Sequence, residues 1–286
     1  MGENPLSRPP RVLVSDLASH RESSEEREIF LGKEERDHVR SRRLRDGDEV
    51  VVLDGKGLRA RGRLTRSGTA VARLSFKESS SSSSLFSLLP GEPANRVTVA
   101  LACAEPARVE WAIEKGTECG AAAFVLLDAE RSQRSHVVAL SKRIPRLVRI
   151  AEEATKQCDR TIVPVVEGPK SIEEFLRGLG EERLVVADPF GSSLREAGGP
   201  MPSRRTRVLS ERSEFTREGA GASASRRTEA GPLLGLVLAI GPEGGFAPAE
   251  ISSFAERSPI FLSLGPRILR LETAVVVALA RLVDPA

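Results

Sequence analysis

Residues 235–250 read GLVLAIGPEGGFAPAE, and their order decides the fold. The unbroken aliphatic run reads as a strand buried on both faces, the pattern of a parallel sheet covered by helices. A Gly-Pro-Glu-Gly-Gly turn closes it, and Pro248 then stands where a helix can begin, because its missing N–H is an orphan there anyway. Strand, tight turn and helix form the repeating unit of an α/β domain.

Working outward, the same alternation runs from residue 95 to the end. NRVTVALAC (95–103) reads as a strand, VEWAIEKGTECG (109–120) as a helix and AAFVLLD (122–128) as a buried strand. HVVALSKRIPRLVRIAEEATKQC (136–158) reads as largely helical despite Pro145. TIVPVV (161–166) is expected as a strand, SIEEFLRGL (171–179) as a short helix opened by Ser171, and RLVVADP (183–189) as a strand. IFLSL (260–264) and LETAVVVALARLV (271–283) supply a last strand and a last helix.

The first part of the chain differs. Residues 48–76, DEVVVLDGKGLRARGRLTRSGTAVARLSF, are short β-branched runs parted by Asp54-Gly55, Lys56-Gly57 and Ser67-Gly68, which are hairpin signals. A small compact barrel over 11–77 is expected, with one helix near 33–44. Three stretches are expected to lack order, because they hold too little apolar surface to offset ordering entropy. They are 1–10, the serine-rich linker 78–94 and the Gly-, Ser- and Arg-rich insertion 198–232. The α/β domain is then 95–286.

Composition excludes several classes. The chain has 286 residues, 40% of them apolar, with a formal charge of +3. The mild positive charge does not by itself require an anionic partner. Aromatics are 4%, without tyrosine, which argues against a surface that stacks bases repeatedly. Cys103, Cys119 and Cys158 are widely spaced, which suits buried thiols in a reducing compartment and gives no zinc site. No secretory signal and no membrane-length apolar run are apparent, so a cytoplasmic protein without a metal or a membrane partner is expected.

Two turns close buried strands near the C-terminus: IGPEGGF (240–246) and SLGPRILRLETA (263–274). In an open α/β sheet, ligands bind beyond the carboxyl ends of the strands, where both turns fall. Neither is a Walker loop, since no G-K-[ST] follows, and neither has the G-x-G-x-x-G spacing of a dinucleotide loop. What remains is a glycine loop whose bare main chain approaches a mostly neutral, flat ligand edge. Taken alone, the first turn reads equally well as a simple strand-to-helix bend.

IGPEGGFAPAEI (240–251) followed by LGPRILRLETA (264–274) resembles the ribosomal RNA small subunit methyltransferase E family, the uridine-N3 methyltransferases of the SPOUT class. DHVRSRRLRDGDEVVVLDGKG (37–57) resembles that family's N-terminal PUA-like domain, and VEWAIEKGTECG, ERS (130–132) and EEATKQCDRTIVPVV (152–166) follow in order. The resemblance implies a trefoil-knotted methyltransferase domain behind a PUA-like β-barrel, acting as a homodimer. It implies that S-adenosylmethionine is bound by three loops. The first holds Leu184, Ala187 and Pro189; the second Ile240, Gly241, Pro242, Gly244 and Gly245; the third Leu264, Gly265, Ile268, Leu269 and Arg270. The implied substrate is a uridine of 16S ribosomal RNA in the small ribosomal subunit. Another SPOUT activity, on tRNA or a ribose 2′-OH, and a non-catalytic RNA-binding assembly factor remain as alternatives.

Uracil N3 carries a proton, so methylation calls for a base or for a cation beside the developing anion. Arg270 is the first candidate for the cation and Arg267 the second. Glu243 and Glu272 are the candidate carboxylates, although Glu272 also suits a helix N-terminus for charge alone. Arg59, Arg61 and Arg63 alternate onto one strand face, and with His38, Arg40, Arg43, Arg45, Arg131 and Arg160 form the candidate RNA contacts. The alternative for the stripe is a solvated basic face. Glu105 to Arg108, Lys156 and Cys119 depart from the family pattern, and none of them is expected to touch the donor loops.

Overall fold

The structure is a computed structural model and describes residues 9–15, 17, 28–65, 69–76, 91–93, 95–192 and 235–283. The expectations for 1–8, for most of the linker 78–94, for the insertion 198–232 and for the Ser67-Gly68 turn lie outside these residues. The chain divides into two compact units. The first comprises Met1–Ala94 with Arg146–Val165, and the second comprises Asn95–Pro145 and residues from Val166 onward. The expected single segment 95–286 is thus interrupted.

The first unit carries a five-stranded mixed sheet in the order β1-β3-β4-β5-β2. Its strands are β1 (Arg11–Leu13), β2 (Ile29–Phe30), β3 (Glu49–Leu53), β4 (Arg59–Leu64) and β5 (Ala70–Phe76). β1 runs parallel to β3, whereas β3–β4, β4–β5 and β2–β5 are antiparallel. The first hairpin forms where the glycines predicted it. The Asp54 carboxylate accepts from the backbone N–H groups of Lys56 and Leu58 at 2.7 and 2.8 Å, a side-chain-closed turn. Val12, Leu31, Val39, Val50, Val52 and Leu64 share the core beneath, and Val39 comes from α1 (Lys33–Ser41).

Three ion pairs explain why Arg146–Val165 joins this unit. Arg11 Nε reaches Asp159 at 2.8 Å, Lys156 Nζ reaches Glu35 at 2.9 Å, and Arg160 Nη2 reaches Glu92 at 2.7 Å. Glu92 also accepts from the N–H groups of Thr161 and Ile162, both at 2.8 Å. It lies near the end of the expected linker yet is only 5% exposed, so the chain is packed at Glu92 itself.

The second unit carries a six-stranded sheet in the order β11-β9-β10-β6-β7-β8. These are β6 (Val97–Ala102), β7 (Ala123–Leu127), β8 (Val165–Lys170), β9 (Arg183–Ser192), β10 (Leu236–Ile240) and β11 (Ile260–Leu262). Each pair from β11 through β9, β10 and β6 to β7 is parallel, as the unbroken aliphatic runs predict. All five residues of β10 are buried. Helices α2 (Pro106–Glu118), α3 (Arg134–Ser141), α5 (Ile172–Gly178), α6 (Pro248–Ala255) and α7 (Leu271–Leu282) accompany the sheet, and α7 packs on α2, β6 and β10.

Two element boundaries moved. The long helix expected across Pro145 is broken into α3 and α4 (Ile144–Cys158), because proline is tolerated in a first helical turn but not in a helix interior. The strand expected over 161–166 begins only at Val165, because Thr161 and Ile162 are occupied by Glu92. Of the three thiols, Cys103 is buried, while Cys119 and Cys158 are only partly so.

Candidate active site

The site forms where β9 and β10 part. They pair in register as far as Val186 opposite Ala239 and then diverge. Ala187, Asp188 and Pro189 from β9 face Ile240 and the loop 241–246 across a cavity of about 380 Å3. Leu264, Gly265, Arg267, Ile268 and Leu269, from the turn after β11, close another side, and Leu271 and Ala274 of α7 form part of the wall. The volume falls within the usual span of small-molecule sites, roughly 300–1,000 Å3.

The glycines of the 241–245 loop have distinct local reasons. Gly245 has φ +70°, a left-handed conformation, and its N–H donates to the Pro242 carbonyl at 2.8 Å. A Cβ on Gly241 would lie 3.1 Å from the Phe246 nitrogen and 3.2 Å from its ring, whereas one on Gly244 would meet nothing closer than Arg131 Cδ at 3.5 Å. The bare main chain at Gly241 and Gly245 is thus needed to form the turn.

Two arginines hold this loop. Arg131 Nη1 donates to the Gly244 carbonyl at 2.6 Å. Arg108, in the first turn of α2, pairs with Glu243 as well as with Glu105. This corrects the expectation that the departures around Glu105 leave the glycine loops untouched. On the opposite turn, Arg281 of α7 donates to the carbonyls of Ser263 and Leu264 at 3.1 and 3.2 Å.

Most of the predicted site residues come together here. Ala187, Pro189, Ile240, Gly241, Pro242, Glu243, Gly244, Gly245, Leu264, Gly265, Ile268 and Leu269 all line the cavity. Leu184 does not, because it sits early in β9 with its side chain in the core. Arg270 is also outside the wall: it occupies the N-cap of α7, exposed, while Arg267 is inside. Glu272 lies in the first turn of α7, and its Oε2 is buried without a hydrogen-bond partner among the described residues. Phe246, Ile251 and Arg131 are wall residues that were not expected as such, and Asp188 joins its neighbours Ala187 and Pro189. For Arg131 the signal was present in ERS, read only as RNA contact.

The basic residues of the first unit divide. Arg40, Arg43, Arg45, Arg61 and Arg63 are exposed. Arg61 pairs with Glu49 at 3.1 Å, and Arg59 turns toward Asp159 at 3.4 Å. His38 is half-buried, and its pKa is lowered chiefly by that burial and then by the Lys156 charge. Arg160 is a correction: at 3% exposure and bound to Glu92, it faces the interior rather than RNA. Lys156 is likewise buried, held by Glu35 and Glu153.

The family described as RNA methyltransferase domain matches residues 91–283. Ribosomal RNA small subunit methyltransferase E of Mycobacterium bovis is 30% identical over 239 residues, 83% of this chain and 79% of that protein. The chain belongs to the ribosomal RNA small subunit methyltransferase E family. The Bacillus subtilis member is 29% identical over 88% of this chain and 87% of its own length. A crystal structure of the Neisseria gonorrhoeae member, bound to S-adenosyl methionine, matches with a TM-score of 0.70 at 22% identity, covering 96% of both chains. That likeness shows that this chain shares the α/β fold of that structure. Among the described residues no helix is long and apolar enough to cross a membrane, and no cluster of three metal-ligating side chains occurs.

Proposed function

We propose that this protein transfers a methyl group from S-adenosylmethionine to N3 of one uridine in 16S ribosomal RNA during small-subunit maturation. The observation that carries the proposal is the cavity at the parting of β9 and β10, walled by two glycine turns and a strand end. Its residues fit the cosubstrate. Main chain at Gly241, Gly245 and Gly265 suits a flat, neutral adenine edge. Asp188 and Arg267 offer charge of both signs for a zwitterionic amino-acid end. When bound, the cosubstrate supplies a methyl group on a positively charged sulfur leaving group.

The chain's own part is to position the reactants and to stabilise charge. The N3 proton must leave, and negative charge develops on the uracil oxygens. Arg267 in the wall and Arg270 at the rim of α7 are the cations for that charge; neither side chain has a hydrogen bond or ion pair among the described residues. Glu243 is engaged by Arg108 and serves the loop's position, which leaves Glu272 as the better candidate proton acceptor. In the first unit, read as a PUA-like barrel, exposed Arg40, Arg43, Arg45, Arg61 and Arg63 supply phosphate contacts, with His38 and Arg59 beside them. A knotted C-terminus and a cytoplasmic homodimer, both implied by the family resemblance, complete the proposal.

The test is mass mapping of ribosomal RNA from a deletion strain. One methyl group lost from a small-subunit uridine is expected. Loss from tRNA or from a ribose would favour a different activity, and absence of heat on titration with S-adenosylmethionine would favour a pure binding protein.

A further inference from the structure

Glu250 is a buried carboxylate, 8% exposed, in the first turn of α6 and outside the chemistry above. Its Oε2 accepts from the Ala247 N–H at 2.7 Å, at the start of its own helix. Its Oε1 accepts from the Glu130 N–H at 2.8 Å, across 120 residues of sequence. The neighbouring Arg131 donates to the Gly244 carbonyl at 2.6 Å. The turn carrying Glu130 and Arg131 is closed by the Ser132 N–H donating to Ala129 at 2.9 Å. Residues 244–247 are therefore gripped at both ends by one short turn after β7.

Capping alone does not call for this arrangement. Ser, Thr, Asp or Asn at 247 would cap α6 locally, yet the chain has Ala there. Burying a carboxylate costs free energy unless its oxygens are bonded, and here both are given to backbone N–H groups of separate segments. The bonds also bracket Gly245, the residue held at φ +70°.

We propose that Glu250 and Arg131 are positioning residues acting in series, setting the conformation of residues 244–247 and through it the affinity for the methyl donor. This rests on the donor-binding reading above. Two readouts separate the ideas. In the free protein, Glu250→Gln and Arg131→Ala each speed amide exchange at Gly245 and Ala247, while Arg134→Ala, whose side chain pairs with Asp128 at 2.9 Å, does not. By calorimetry, each single variant weakens S-adenosylmethionine binding about tenfold, the size of one charged hydrogen bond, and the double variant does little more. Arg131 is exposed, so its alanine variant keeps the wild-type melting temperature. Wild-type exchange in Arg131→Ala, effects that multiply in the double variant, or a melting temperature that falls with affinity would each overturn the brace. A wild-type protein that binds no donor refutes the proposed function instead, and the exchange data still decide the brace.

Discussion

Gly245→Ala isolates one physical cause at the cavity wall. A Cβ there meets nothing within 4 Å, so the substitution adds no clash. It does place an L-residue at φ +70°, in the left-handed region, at a cost of about 1–2 kcal/mol. The free loop can relax away from that strain, but a ligand needing the native turn must restore it. S-adenosylmethionine affinity should then fall roughly 5- to 30-fold, at 1.4 kcal/mol per factor of ten. Gly244→Ala is the matched control, since its Cβ finds only ordinary contact at 3.5 Å and its φ is not left-handed. Gly241→Ala acts by crowding instead, because Phe246 must give way at 3.1–3.2 Å. Calorimetric titration of the three variants should give Gly244→Ala close to wild type and the other two weaker. Equal affinities for Gly244→Ala and Gly245→Ala would refute the conformational account of this loop.

Other outcomes follow from the first unit and the thiols. Folding lowers the His38 pKa below its ordinary 6.5, so the unfolded chain holds that proton more tightly; this contribution to stability is complete above pH 6.5 and is lost as pH falls through the depressed folded value. His38→Gln should consequently lose less melting temperature than wild type between about pH 7.5 and about pH 5, and equal losses would contradict the assignment. Glu92→Ala removes the acceptor shared by Arg160, Thr161 and Ile162 and should cost about 3–5 kcal/mol in denaturant unfolding; under about 1 kcal/mol would mark the cluster as dispensable. Burial, then the Asp128 charge, pushes the Cys103 thiol up to about 12. A thiolate-directed reagent at mild alkaline pH should label partly exposed Cys158 first, Cys119 slowly because burial and then the Glu118 charge raise its thiol too, and Cys103 only after unfolding, as mass spectrometry can check.

Much of the α/β unit was legible because its strands are buried on both faces. GLVLAI and AFVLL cannot be solvated strands, and the Gly-Pro and Ser-capped junctions mark where each element yields to the next. Ser171 is such a case: its hydroxyl accepts from the Glu174 N–H while the Glu174 side chain returns the bond to the Ser171 N–H. Both C-terminal turns were identifiable as candidate cavity walls for a related reason: their spacing matches neither phosphate loop, and they lie beyond the ends of buried strands. The misreadings came from residues whose partners lie far along the chain. Arg160 looks like any surface arginine until Glu92 is beside it, and Arg108 until Glu243 is.

The sequence alone determined the order of elements, the parallel sheet and the two glycine turns, because periodicity and backbone sterics act over a few residues. Only the tertiary structure decided which charges are structural and which meet the cavity. Arg131 and Glu250, 119 positions apart, converge on one turn, and Arg108 reaches Glu243 from another helix. Local pattern carries no record of such pairings, since an ion pair depends on distance in space and on the water excluded around it.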